Sequence, residues 1–199
     1  MVKIILASNS PRRKELLAGI DVPFTVRVID GIDESYPDDL PTKDIAEYIS
    51  KKKAAAYRET MDADELVITA DTIVVLDQQV MGKPHDAAEA HAMLRQLSGQ
   101  THQVITGVTL TTLDHQTSFS VETDVTFKTL SDDEIDYYVA NYLPFDKAGA
   151  YGIQEWIGHI GVTGLNGSYF NVMGLPVQRI YAALCDLKVL HLPNESAEL

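Results

Sequence analysis

The chain has 199 residues, 45% of them hydrophobic and 23% charged, which is ordinary for a globular protein with a sizeable core. Its formal net charge of −13 argues against a nucleic-acid polymer or an anionic membrane as partner, because phosphate groups are bound through Lys and Arg. A single cysteine allows no internal disulfide, and the apolar run before Ser8 is too short for a signal peptide or membrane span, so we expect a cytoplasmic protein.

The first half of the chain alternates apolar runs with helical patterns. Residues 2–7, "VKIILA", predict a buried strand, and a helix follows near residues 11–19. A strand at "FTVRV" and an acidic loop lead to residues 42–59, whose apolar positions have helical spacing. Residues 65–76, "ELVITADTIVVL", are rich in β-branched residues and predict a strand that contains Asp71.

The second half holds a long hairpin between helical segments. A helical pattern ends at Gly99, and residues 101–113 and 117–130 predict two antiparallel strands. A capping box, Ser131 with Glu134, begins the next helix. Two glycine-rich segments, "DKAGAYGIQ" and "GHIGVTGLNGSYFNVMG", match no regular pattern, and "LPVQRIYAALCDL" predicts a closing helix.

This order of elements predicts an α/β fold with a mixed sheet, because strands alternate with helices around a hairpin. The hairpin and its flanking helix are expected to form a second lobe, with a cleft between the two lobes. The chain has no internal repeat and no linker, and its polar tail is expected to be loose.

Asp71 and Lys83 are two candidate site residues. Asp71 lies between two apolar half-strands, where a carboxylate is costly unless it is paired, hydrogen-bonded or bound to metal. A local turn capped by Asp71 and Thr72, or a buried salt bridge, would also explain it. Lys83 precedes Pro84, which makes the backbone rigid there, although an exposed turn lysine is the plainer interpretation.

Two arginines stand at the start of the first helix, after the N-cap Ser10 and Pro11. Arg12 and Arg13 face the positive end of the helix dipole, where Asp or Glu would be favourable. A bound anion reverses this conflict, since free backbone N–H groups and both guanidinium groups would then converge on it.

The second helix carries a run of three lysines. At about 100° per residue, Lys52 falls near the middle of the apolar stripe of Ile45, Ile49 and Ala56, and Lys53 falls toward its edge. One of the two lysines is therefore expected to extend along the surface or to face a cleft.

The remaining candidates are weaker by themselves. Glu34 is one of several loop acids, and Gln154 belongs either to a bulged strand or to a pocket wall. Together the carboxylates, the basic residues and the helix start indicate a site for a polyphosphate with a divalent metal ion.

The chain resembles a known family through several short segments in order. They are "LASNSPRRKELL", "GIDE", "KKKA", "ADTIVV", "GKP", "LSGQTHQVITGV", "TDVTF", "DKAGAYGIQ" and "GSYFNVMGLP", which run from residue 4 to about 187. The set is similar to the Maf family of nucleotide pyrophosphatases, also called septum formation inhibitor proteins. The resemblance implies one two-lobed α/β domain over residues 1–187, related to the inosine triphosphate pyrophosphatases, with a tail at 188–199.

The resemblance also implies an activity, the hydrolysis of nucleoside triphosphates to the monophosphate and pyrophosphate with Mg²⁺ or Mn²⁺. Asp71 matches the proton acceptor for water and is expected to hold the metal together with Glu34. Ser8, Arg12 and Arg13 match a phosphate-binding motif. The polar pocket residues implied by the match are Glu34, Lys53, Lys83 and Gln154, so the motif favours Lys53 where the helical wheel favours Lys52.

The segments "AGAYGIQ" and "GLP" are similar to the subgroup that acts on dTTP and UTP, in which Arg12, Thr72 and Gln154 are associated with base choice. Glu155 follows Gln154 at a position where glycine is common in the family. Family members are often dimers, which makes a homodimer an expectation.

Three other interpretations stay open from the sequence. In the first, the protein would be a pyrophosphatase for modified purine nucleotides. In the second, it would be a nucleotide sensor without turnover that acts on septum formation. In the third, it would be a structural domain whose core aspartate is fully hydrogen-bonded or paired.

Overall fold

A seven-stranded mixed sheet forms the centre of the structure, a computed structural model that describes residues 2–190. The strands follow the order β2-β1-β3-β5-β6-β7, with β4 paired to the end of β3. Strand β1 is parallel to β2 and β3, whereas the neighbouring pairs β3–β5, β5–β6 and β6–β7 are antiparallel. The strands are β1 (Lys3–Leu6), β2 (Phe24–Val26), β3 (Glu65–Leu76), β4 (Gln79–Met81), β5 (Thr101–Thr111), β6 (Gln116–Phe127) and β7 (Val162–Asn166).

Seven α-helices and one 3₁₀ turn complete the described part of the chain. They are α1 (Pro11–Ala18), α2 (Thr42–Arg58), α3 (Ala87–Leu97), α4 (Asp132–Tyr142), the 3₁₀ turn (Ala148–Ala150), α5 (Trp156–Gly161), α6 (Tyr169–Val172) and α7 (Val177–Asp186). The predicted mixed α/β fold, the hairpin β5–β6 and the capping box of α4 are confirmed.

The glycine-rich segments differ from expectation. The bulged strand considered for "DKAGAYGIQ" is wrong, because these residues form a 3₁₀ turn in which Gly149 has φ 67°. The second segment forms α5, β7 and α6, so it adds an edge strand to the sheet. The predicted strand "FTVRV" is shorter than expected and ends at Val26.

Helix α2 covers one face of the sheet. Its residues Ile45 and Ile49 pack against Ile73 of β3 and Ile105 of β5. Alternation along β3 explains this, because residues 67, 69, 71, 73 and 75 point to the face of α2. Asp71 therefore points toward α2.

The opposite face of the sheet carries two separate apolar clusters. One cluster joins α1 and α7 to β1 and β3, and it includes Ala70. The other joins α3, α4 and α5 to the far end of the sheet, and it includes Val74. Thr72 lies between these two residues on the same face, at the boundary of the clusters. The two-lobed arrangement expected from the hairpin and its flanking helix stays a prediction.

One edge of β3 is only partly covered. Strand β1 pairs with residues 65–68 and β4 pairs with residues 74–76, while β5 occupies the other edge. Residues 69–73 thus have no strand partner on this edge within the described chain. An uncovered edge leaves backbone groups free to bind other partners, and Asp71 lies at the middle of this gap.

Close packing at Gly107 brings α2 onto the sheet beside this gap. Gly107 of β5 is paired directly with Asp71 of β3. A Cβ atom at Gly107 would lie 2.2 Å from the backbone of Ala46 and Glu47 in α2, so only glycine permits this approach.

Two sequence expectations concern the limits of the chain. The expected loose tail falls largely on residues 191–199, outside the described residues, and the single-domain boundary at residue 187 stays a prediction. Within residues 2–190, no helix combines the length and apolar character needed to cross a membrane.

Candidate active site

A pocket of about 150 Å³ lies at the gap in β3, where the two apolar clusters meet. Every site residue predicted from the sequence lines it except Ser8, which lies in the adjoining groove. The predicted residues in the pocket wall are Arg12, Arg13, Glu34, Lys53, Asp71, Thr72, Lys83 and Gln154.

Three charged side chains meet at the centre of the gap. The Lys53 ammonium of α2 donates to Asp71 Oδ1 at 2.7 Å, and Glu34 Oε1 lies 3.0 Å from the same nitrogen. The Lys53 and Asp71 side chains are each 14% exposed, whereas Glu34 is 54% exposed. Asp71 is thus paired, as a buried carboxylate requires, but it keeps contact with the pocket. The buried salt bridge considered as an alternative from the sequence is therefore present, between Lys53 and Asp71.

The helical-wheel prediction that favoured Lys52 is wrong. Lys52 points outward, is 28% exposed, and pairs with Asp33 at 2.8 Å. The buried face of α2 includes Ala46, Ser50, Ala54 and Tyr57 besides the isoleucines, so its centre is rotated toward Lys53. The wheel had used Ala56, which is only half-buried.

Arg13 binds protein groups around the gap. Its guanidinium donates to Gly174 O at 2.8 Å, to Ala70 O at 2.9 Å and to Thr72 Oγ1 at 3.1 Å. It therefore satisfies a carbonyl of the uncovered β3 edge that a neighbouring strand would otherwise bind. Burial lowers the pKa of Arg13, partly offset by the charge of Asp71. Three of its five N–H donors are used in these contacts.

Arg12 occupies the opposite side of the pocket mouth. Its Nη1 donates to Asp146 Oδ2 at 3.0 Å. The two arginines at the start of α1 thus have protein partners, which the sequence did not indicate. Lys83, exposed in the loop after β4, adds a further positive charge to the rim.

A groove of about 480 Å³ continues the pocket along the start of α1. Ser8 lines it, is nearly buried, and accepts a hydrogen bond from the Ser10 N–H at 3.2 Å. Ser10 caps α1 as predicted, since its side chain accepts from the Arg13 N–H. The groove and the pocket share Arg12, Arg13 and Lys83, so one elongated ligand can reach both.

Thr72 and Gln154 form the inner wall. Thr72 Oγ1 contacts Thr106 Oγ1 at 2.9 Å as well as Arg13, so its hydroxyl is already engaged. Gln154 differs, because its Oε1 is buried and accepts no hydrogen bond within the described chain. A buried carbonyl oxygen without a donor is costly, and a ligand N–H would satisfy it.

Sequence reasoning missed a second charged group in the pocket wall. Asp146 and Lys147 line the pocket just before the 3₁₀ turn, and the Lys147 ammonium also lies 3.1 Å from Glu155 Oε1. The adjacent acid and base in "FDKAGAYG" resemble an ordinary exposed pair, so only the fold shows that Lys147 is buried.

The carboxylates of the pocket suit a cation. Asp71 and Glu34 both direct an oxygen at one positive group, the Lys53 ammonium. Among residues 2–190, no cluster of three or more His, Cys, Asp or Glu side chains has the arrangement of a metal site. Mg²⁺ is commonly held by one or two carboxylates together with substrate phosphates. These residues therefore fit a divalent ion whose coordination a polyphosphate completes.

Comparison with known proteins identifies the family. The family model described as Maf-like protein matches residues 3–187. The chain is 65% identical to the dTTP/UTP pyrophosphatase of Phocaeicola vulgatus and 59% identical to that of Parabacteroides distasonis, in each case over 92% of this chain and 94% of the relative. Among solved structures, the nucleoside-triphosphatase / dITP/XTP pyrophosphatase of Mycobacterium abscessus is 16% identical with a TM-score of 0.46, covering 96% of this chain and 100% of that one. A model match over most of the sequence, with relatives more than half identical, shows that the chain belongs to the Maf-like protein family.

Proposed function

We propose that this protein hydrolyses nucleoside triphosphates to the monophosphate and pyrophosphate, with dTTP and UTP as preferred substrates. The observation that carries the proposal is the Asp71–Lys53–Glu34 cluster, which lies in the same pocket as two arginines and Lys83. The relatives named dTTP/UTP pyrophosphatase support both the reaction and the choice of substrate.

In this proposal Asp71 is the general base. Its carboxylate is held by Lys53 at Oδ1, which leaves Oδ2 to accept a proton from a water molecule in the pocket. The water oxygen attacks the α-phosphorus, the α–β phosphoanhydride bond breaks, and pyrophosphate leaves with the bond electrons. Lys53 fixes the direction of the carboxylate, since a charge-assisted hydrogen bond of 2.7 Å restricts its rotation.

The cations at the pocket mouth stabilise the leaving group. Arg12, Arg13 and Lys83 line both the pocket and the α1 groove, and this position suits the β- and γ-phosphates. Phosphoryl transfer depends mainly on positioning and on neutralising charge on the phosphate oxygens. The net charge of −13 does not conflict with this, since the basic groups are concentrated in one pocket.

A divalent cation is part of the proposal. Asp71 and Glu34 would hold it together with substrate phosphate oxygens, and Mg²⁺ or Mn²⁺ would meet the requirement for oxygen ligands. When bound, the ion supplies charge neutralisation at the reacting phosphate.

The preference for uracil and thymine is supported by Gln154. Both bases present an N3–H donor beside two carbonyl groups, and the Gln154 amide offers an acceptor beside a donor. The unsatisfied Oε1 would accept the N3–H, and Nε2 would donate to a neighbouring carbonyl. In this orientation the amide rejects cytosine and adenine, whose ring nitrogen on that edge carries no hydrogen, because Oε1 would stay unpaired.

A triphosphate panel in H₂¹⁸O, with and without Mg²⁺ or Mn²⁺, tests the proposal. We expect pyrophosphate release from dTTP and UTP, with ¹⁸O only in the monophosphate, because water attacks the α-phosphorus. Label in the pyrophosphate would contradict attack at the α-phosphorus. Binding of dTTP without turnover would favour a sensor, and turnover of modified purine nucleotides alone would favour the purine alternative. The homodimer, the cytoplasmic location and the link to septum formation stay predictions.

A further inference from the structure

A network of ion pairs begins in the pocket wall and joins a buried lysine to one exposed and one largely buried carboxylate. At its centre is Lys147, whose side chain is only 9% exposed. Its ammonium donates to Asp146 Oδ1 at 2.7 Å and lies 3.1 Å from Glu155 Oε1. One cation thus holds Asp146, which lines the pocket, and Glu155, which directly follows the pocket residue Gln154.

Each carboxylate has a second partner that leads toward the pocket. On one side, Asp146 Oδ2 accepts a hydrogen bond from Arg12 Nη1 at 3.0 Å. On the other side, Glu155 Oε2 accepts from the Tyr138 hydroxyl, and this hydroxyl oxygen accepts from the Gly152 N–H at 3.0 Å. The Glu155 N–H donates to Gly152 O at 3.0 Å, which closes a tight turn over residues 152–155.

This turn carries Gln154. A Cβ atom at Gly152 would lie 2.9 Å from Glu155 Cδ and 3.0 Å from Gln154 Nε2, so both side chains pack directly on the glycine. The orientation of the Gln154 amide therefore depends on where Glu155 is held. Glu155 is in turn held by Lys147 and Tyr138.

We propose that Lys147 is a positioning residue that sets the separation of Arg12 and Gln154 and thereby the base selectivity of the pocket. This inference rests on the proposed function. Removing the Lys147 charge would leave the largely buried Glu155 carboxylate without its cation, with the Tyr138 hydroxyl as its remaining partner, and would leave Asp146 with Arg12. Glu155 would then move together with the 152–155 turn that carries Gln154, and the Asp146–Arg12 pair would lose the contact that fixes its position.

The test compares Lys147→Met with the wild type, using kcat and KM for UTP, dTTP, CTP and GTP. We expect KM for UTP and dTTP to rise, and their kcat/KM advantage over CTP to fall about tenfold or more, the value of one charged hydrogen bond. A merely structural role would lower the amount of active enzyme equally for all four substrates, and it would leave KM and the selectivity ratio unchanged.

A double-mutant cycle separates the network from a simple loss of charge. Glu155→Gln alone is expected to lower selectivity in the same direction. The double variant with Lys147→Met is expected to be impaired by less than the product of the two single effects, because no unpaired carboxylate stays at that position. If Lys147→Met does not fold, Glu155→Gln by itself decides the question.

Lys128→Met is the matched control. Lys128 pairs with Glu134 at 2.6 Å in the same lobe but does not line the pocket, so its loss is expected to leave KM and selectivity unchanged. Unchanged selectivity in folded Lys147→Met, or in Glu155→Gln, overturns this inference while the wild type stays active. Absence of pyrophosphate release by the wild type overturns the proposed function instead.

Discussion

Replacement of Gly107 by alanine tests whether the approach of α2 to the sheet assembles the site. The added Cβ would lie 2.2 Å from the backbone of Ala46 and Glu47, whereas an ordinary contact begins at 3.4 Å. The backbone of α2 would have to withdraw by the difference, about 1.2 Å. Lys53 is seven residues beyond Ala46, about 10 Å along the same rigid helix, so it would move with it.

The expected magnitude follows from this displacement. Overpacking against backbone atoms costs typically about 1–3 kcal/mol, and we expect the upper end because no side chain can rotate away. For a domain of this size, a loss of about 3 kcal/mol lowers Tm by roughly 6–12 °C. A shift of about 1 Å at Lys53 would disturb its 2.7 Å contact with Asp71 and lower kcat about a hundredfold.

The assay combines thermal unfolding with dTTP turnover at a temperature where both proteins are folded. Gly19→Ala is the matched control, because Gly19 has an ordinary φ of −66° and its Cβ would meet atoms only at 3.4 Å or beyond. Wild-type Tm and kcat in Gly107→Ala would contradict this role of Gly107, and so would an equal loss of both in Gly19→Ala.

Three further substitutions test the contributions of Lys53, Arg13 and His102. Lys53→Met should lower kcat about 10²–10³-fold. Lys52→Met should change kcat less than about twofold, because an exposed ion pair contributes little. Equal effects of the two variants would contradict the assignment of Lys53 as the lysine of the site. Arg13→Lys should lower the free energy of unfolding by about 1–3 kcal/mol in urea titrations, since a lysine cannot satisfy the three acceptors together; wild-type stability would contradict this. Burial lowers the pKa of His102 to about 4. Below pH 6.5 the unfolded chain therefore binds a proton that the folded state excludes. The free energy of unfolding then falls by up to about 3 kcal/mol as the pH is lowered from 6.5 to 4. His102→Gln, which can still contact the Tyr151 hydroxyl, should lose this pH dependence of the urea midpoint, and parallel curves for both proteins would contradict the reasoning.

Local patterns allowed much of the fold to be predicted from the sequence. The strand 65–76, the hairpin and the capping box of α4 each depend on a short periodic pattern or on a cap. The glycine-rich segments were not predictable, because the 3₁₀ turn at 148–150 depends on tertiary packing of Gly149 against Val74. The gap beside residues 69–73 of β3 could not be predicted either, because it depends on where β1 and β4 end their pairing with β3.

The residues of the candidate site also differ in how far the sequence alone indicated them. Asp71 was evident because an acid within a β-branched run is anomalous. The choice between Lys52 and Lys53 failed on the helical wheel, since the buried face of α2 is set by what it packs against. The partners of Arg12 and Arg13 lie more than 50 residues away in sequence, so no local pattern predicts them.

Pyrophosphate release from dTTP and UTP by Asp71→Asn, measured beside the wild type, tests the central claim most directly. Asparagine keeps the shape of the side chain but cannot accept the proton of water. We therefore predict a fall in kcat of about 10²–10⁴-fold, with a folded protein that still binds the triphosphate. Wild-type turnover in this variant would contradict the assignment of Asp71 as general base.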